Sequence, residues 1–79
     1  MVKIWVKFLQ KIDRKIAENI YIIIQKLLDK EFENLDIKKM KGEKFLYRCR
    51  YGNIRIIYFY DEEDLIIKKI GFRGDIYKN

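Results

Sequence analysis

Histidine, serine, threonine and proline are all missing from this 79-residue chain, and cysteine occurs once, at Cys49. Without Ser, Thr or His there is no Ser-His-Asp or Cys-His arrangement for nucleophilic catalysis. One Cys and no His cannot build a structural zinc site, and a lone Cys cannot close an internal disulfide, so nothing points to secretion. Long apolar runs are missing too. Stretches such as Ile22-Ile23-Ile24 fall far short of the ~20 residues that span a bilayer. The start, Met1 to Phe8, interrupts its apolar residues with lysines and has no small-residue cleavage site, which makes a poor signal peptide. The expected compartment is the cytoplasm, and no membrane partner is expected.

What is present is charge and apolar bulk together. Lys and Arg number 18 against 12 Asp and Glu, a net of +6, while 49% of residues are hydrophobic. That balance fits one folded domain over 1–79 rather than a disordered tail. At this size a chain buries only roughly 60–65% of its unfolded surface, so the core is small and a partner would add to it.

Two periods divide the chain. Val2, Trp5, Val6, Leu9 and Ile12 recur at helical spacing, although Val2, Ile4, Val6 and Phe8 also alternate like a strand; the longer stripe predicts a helix over Val2–Lys11. Asp13 is placed to cap a second helix, whose apolar stripe is Ile16, Ile20, Ile23, Ile24, Leu27 and Leu28. The break at Ile12-Asp13 predicts a helical hairpin. Residues 29–42 read as a polar linker anchored by Phe32, Leu35, Ile37 and Met40. From Glu43 the period becomes two. Gly52-Asn53 is a two-residue hairpin turn, Ile54–Tyr60 a second strand, Asp61–Asp64 a turn and Leu65–Ile70 a third strand. With that turn, Tyr51 faces Ile54, Arg50 faces Arg55 and Arg48 faces Ile57. Side chains opposite one another share a face. Arg48, Arg50 and Arg55 are then expected on an open, accessible face, and Phe45, Tyr47, Cys49, Tyr51, Ile54, Ile56 and Tyr58 under the helices. Three arginines on one face repel one another, which an anionic ligand would relieve.

Lys39-Met40-Lys41-Gly42, the run Tyr47-Arg48-Cys49-Arg50-Tyr51-Gly52-Asn53-Ile54-Arg55-Ile56-Ile57-Tyr58, and Ile70-Gly71-Phe72-Arg73-Gly74-Asp75-Ile76-Tyr77 occur in an order and spacing that resemble the RelE/ParE toxin superfamily. The resemblance implies an α+β fold, with an N-terminal helical hairpin packed on one face of a small antiparallel sheet. The family's usual first strand lacks a counterpart ahead of the first helix, which would leave a sheet edge open or covered by something else. It implies the toxin of a type II toxin–antitoxin system: a monomer within a hetero-oligomer held by an acidic, RelB-like antitoxin. In RelE-like members it implies a metal-independent, cofactor-free endoribonuclease cutting mRNA in the ribosomal A site. Carried onto this chain, Tyr77 is the candidate base, Arg55 and Arg73 the phosphate clamps, and Arg48 stands where a second catalytic lysine is found. Arg50, Lys68 and Lys44 are candidate RNA-binding cations, with Lys68 expected near Arg55 on the open face. Two positions depart from the RelE pattern: Leu46 stands where some members carry a catalytic lysine, and Phe72 where His is usual. The ParE-like alternative is a toxin directed at DNA gyrase, or an inactive homologue that binds only its antitoxin. Tyr77 itself fits either a base or a ring docked on the core.

Overall fold

The computed structural model describes residues 3–76. Its first element is a short helix, α1 (Ile4–Leu9), ending earlier than the apolar stripe predicts. No side chain caps its N-terminus, and the stripe's last member, Ile12, lies in the turn before the next helix. Helix α2 (Arg14–Leu28) begins where expected. The Asp13 carboxylate accepts from the backbone N–H groups of Lys15 (3.1 Å) and Ile16 (3.3 Å). Removing such a cap typically costs about 1 kcal/mol.

Four strands follow in a meander, β1 (Asp36–Lys39), β2 (Leu46–Tyr51), β3 (Ile54–Tyr60) and β4 (Leu65–Phe72), forming one antiparallel sheet in the order β1-β2-β3-β4. Strand β1 lies inside the segment read as a linker. A single turn, α3 (Arg73–Ile76), comes after β4. The β2–β3 register is the expected one, with Tyr51 opposite Ile54, Arg50 opposite Arg55 and Arg48 opposite Ile57. Strand β4 carries a bulge: Ile57 faces Lys69 but Tyr58 faces Ile67, so Lys68 is the extra residue.

The sheet is sided as the alternation implies. Trp5 of α1 and Ile20, Ile24 and Leu27 of α2 form one buried cluster with Cys49, Ile54, Ile56 and Tyr58. Burying each such aliphatic side chain contributes roughly 1.5–3 kcal/mol. Around it pack stacked rings: Tyr47 on Tyr58 (5.5 Å between centroids) and Phe32 on Tyr58 (6.3 Å). Phe72 meets Phe8 of α1 at 5.5 Å, edge-on. Phe45 departs from the expected face. It precedes β2, is 40% exposed, and its ring meets Phe59, whose alternation places it on the side away from the helices.

The acidic turn is held from outside. Asp61 accepts from the N–H groups of Glu63 and Asp64, and Lys30, just past α2, donates from Nζ to the carbonyls of Glu62 and Glu63, both at 3.1 Å. These bonds tie the end of the helical layer to the β3–β4 turn.

Candidate functional site

Strand β2 turns Arg48 and Arg50 away from the helices because Cys49, between them, is buried in the core. The two arginines nevertheless have different surroundings. Arg50 donates from Nε to the Asp36 carboxylate at 2.7 Å, across the β1–β2 ladder. Part of the expected cationic repulsion on this face is therefore relieved within the chain. The unforeseen strand β1 supplies the carboxylate. The pair is exposed, so it adds at most about 1 kcal/mol. Arg48 faces Lys38 of β1 on one side and Ile57 of β3 on the other.

Arg55 is not accessible as its strand position suggests; only 7% of it is exposed. Its guanidinium Nη1 donates to the carbonyls of Gly52 (2.7 Å) and Ile54 (3.2 Å). Its ladder partner on β4 is Gly71. There a Cβ would stand 3.3 Å from the Ile76 δ-carbon, so the bare glycine lets Ile76 of α3 settle onto the sheet. Ile76 is 6% exposed, and α3 packs on β3 and β4. The C-terminal turn thus folds back over the side of the sheet that the helical pair leaves open. Ile57, 7% exposed, points to that side and lies outside the main cluster.

Arg73 opens α3 with its side chain exposed, while its backbone N–H donates to the Asn53 carbonyl at 2.6 Å. Arg55 and Arg73 therefore both attach to the Gly52-Asn53 turn, where Gly52 adopts φ +55°. Lys69, opposite Ile57, donates from Nζ to the Ile76 carbonyl at 3.3 Å. Sequence reasoning chose Lys68 for this face. The bulge gives the position to Lys69, and Lys68 instead lines a groove of about 520 Å³ with Lys3, Trp5 and Leu28. Lys44 lies elsewhere again: its Nζ is 5.4 Å from the Phe45 ring, in a recess shared with Tyr47, Tyr60, Asp61 and Glu62. Tyr77 falls outside the described residues.

Two other reactive side chains are withheld from chemistry. Burial, with a smaller push from Asp36, raises the Cys49 thiol to about 11, so it stays protonated near neutrality and is no nucleophile. Burial also raises the Tyr58 phenol, helped by Cys49 and the neighbouring tyrosines. Phe72, in place of the usual His, sits opposite Ile54 and packs on Phe8, so the substitution falls on the helix side and serves packing. Among the described residues no cluster of three or more His, Cys, Asp or Glu could hold a metal ion, and no helix is long and apolar enough to cross a membrane.

The fold, a helical pair on one face of a four-stranded antiparallel sheet, is the feature to set beside known proteins. The sequence profile of the family described as the ParE toxin of the type II toxin–antitoxin system parDE matches residues 5–77. Toxin RelE3 of Methanocaldococcus jannaschii is 35% identical over 78 residues, covering 95% of this chain and 89% of that protein. The protein named putative toxin RelE1 from the same organism is 43% identical over 49 residues, 60% of this chain and 54% of its own length. A crystal structure of the RelB–RelE antitoxin–toxin complex from Methanococcus jannaschii contains a chain that superposes with a TM-score of 0.78 at 32% identity, covering 96% of this chain and 92% of the other. The chain belongs to the ParE toxin family of type II toxin–antitoxin systems, within the RelE/ParE superfamily.

Proposed function

We propose that this toxin is a metal-independent endoribonuclease of the RelE kind that cuts translated mRNA in the ribosomal A site. The observation that carries the reading is the sheet face left free by α1 and α2, where Arg48 and Arg73 stand on a scaffold braced by Arg55. In metal-free RNA cleavage the ribose 2′-oxygen attacks the adjacent phosphorus while the 5′-oxygen leaves. The products are a 2′,3′-cyclic phosphate and a 5′-hydroxyl. A base takes the 2′-hydroxyl proton, a proton reaches the leaving oxygen, and positive charge stabilises the crowded phosphorane. Arginine suits the last task because its fork can hold two phosphate oxygens while staying charged. Here Arg73 and Arg48 supply that charge, and Arg55 keeps the turn that positions Arg73. The base is assigned to Tyr77 by the family resemblance; an ordinary phenol titrates near 10, and neighbouring guanidinium groups favour its anion.

The partners in this reading are the ribosome with its mRNA, and an acidic antitoxin of the RelB kind, as in the superposed complex. The net charge of +6 favours an acidic partner. The groove lined by Ile4, Trp5, Leu28 and Ile66 offers it apolar contact, with Ile4 49% and Ile66 48% exposed. The deciding experiment is cell-free translation followed by primer extension on the message, which finds cuts inside translated codons if the reading holds. The gyrase-directed alternative draws on the ParE family match and on Leu46. A DNA supercoiling assay with purified gyrase separates the two.

A further inference from the structure

A recess of about 320 Å³ opens where β1 runs into the loop toward β2, lined by Lys38, Lys39, Met40, Lys41 and Arg48. Four cations and one methionine make this lining, with no carboxylate among them. Lys38 and Arg48 face each other directly across the ladder, a like-charge placement that works against the sheet. Asp36 shares a smaller neighbouring recess with Lys38, Arg48 and Arg50, but its carboxylate is held by Arg50 at 2.7 Å. The loop beneath Lys41 is shaped by the chain itself. The Met40 N–H donates to the Leu46 carbonyl (2.9 Å), the Glu43 N–H to the Met40 carbonyl (3.3 Å), and Gly42 takes φ +81°.

We propose that Lys38 and Lys41, together with Arg48, form a phosphate subsite that receives a backbone phosphate of single-stranded RNA beside the bond that is cut. The subsite rests on the RNA-directed reading above. Arg48 belongs to both the arginine face and the recess, so a strand crossing that face runs into the recess without a gap. Arg48 is also engaged within the chain, and the two lysines are the groups whose charge the test removes. A phosphodiester is a better match than an acidic protein segment. Phosphate contacts need charge and donors, and the recess supplies four cationic head groups above their aliphatic stems and Met40. The molecule's apolar groove lies elsewhere, between α1 and β4.

The test is salt-dependent binding of a short fluorescent single-stranded RNA to the purified toxin, followed by anisotropy. For single strands each phosphate contact contributes about 0.7 to the slope of log K against log salt. Lys38→Gln/Lys41→Gln is expected to lower that slope by about 1 to 1.5 and to weaken binding at low salt by about tenfold or more. Both side chains are exposed, so the melting temperature should hold. Lys11→Gln/Lys15→Gln removes the same charge from exposed positions of the helical layer and should leave the slope near wild type. Loss of slope in the first variant alone supports the subsite even where the wild type never cuts translated mRNA, in which case the nuclease reading fails by itself. Equal loss in both variants, or loss in neither, overturns the subsite. Unchanged RNA binding with weakened binding of an acidic peptide also overturns it, and makes the recess a protein site.

Discussion

The Arg55 guanidinium and the Arg73 backbone N–H close on adjacent carbonyls of one turn, Gly52 at 2.7 Å and Asn53 at 2.6 Å. One arginine is buried by this arrangement and the other is presented by it. Their substitutions should therefore separate into a stability effect and a chemical one.

Arg55→Met keeps much of the side chain's bulk and deletes its donors, leaving two carbonyls without that partner at the turn. A loss of about 1–3 kcal/mol is expected, or roughly 4–8 °C of melting temperature per kcal/mol for a domain of this size. Arg73→Ala keeps the backbone bond and should melt within about 2 °C of wild type. Thermal denaturation followed by circular dichroism checks both. If Arg55→Met proves as stable as wild type, the bracing role is removed.

Gly71→Ala brings a methyl group to 3.3 Å from the Ile76 δ-carbon. The end of that side chain must shift by a few tenths of an ångström, so a small loss of stability is expected, below about 1.5 kcal/mol. Shortening the neighbour in Gly71→Ala/Ile76→Val should recover part of it. Urea unfolding of the two single variants and the double variant reads the coupling; strict additivity would contradict the contact.

Asp36→Asn leaves the Arg50 charge without its carboxylate. Stability should change by less than about 1 kcal/mol, because the pair is exposed. RNA affinity at low salt should rise, with a steeper salt dependence, since a further cation becomes available to phosphate. Unchanged RNA binding would mean that Arg50 lies off the RNA path.

Cys49 carries a prediction about alkaline pH. Its folded value of about 11 exceeds the 8.5 typical of a free thiol. Between these values the unfolded chain has lost the proton and the folded chain keeps it, so stability falls as pH rises across that window. The slope is at most about 1.4 kcal/mol per pH unit. Below about pH 8 the contribution is constant. Urea midpoints at pH 8 and pH 10 measure the drop, and Cys49→Ala should flatten it. An equal drop in that variant would assign the effect to other groups.

Much of this was legible in the sequence wherever a period is long and its punctuation sharp. Asp13 and the stripe through Ile20, Ile24 and Leu27 define α2, and Gly52-Asn53 fixes the β2–β3 register to the residue. Strand β1 was not legible. It has four residues, Ile37 is its only apolar one, and its charges suit a sheet edge and read as linker. Missing β1 hid Asp36, and with it the partner of Arg50. The burial of Arg55 was hidden because its cover comes from α3, beyond β4, a tertiary contact that alternation cannot express. Lys68 and Lys69 exchanged places through a single bulge, which shifts every face beyond it by one residue.

The most direct measurement is primer extension on an mRNA translated in a cell-free system with wild-type toxin, Arg73→Ala and Tyr77→Phe. Cuts within translated codons are expected for wild type. A fall on the order of 10²–10³ is expected for Arg73→Ala at unchanged melting temperature, the usual size for losing one transition-state stabiliser. Tyr77→Phe should slow cutting with ribosome binding retained. Wild-type toxin that leaves the message whole at saturating ribosome, while blocking gyrase supercoiling, would contradict the nuclease reading.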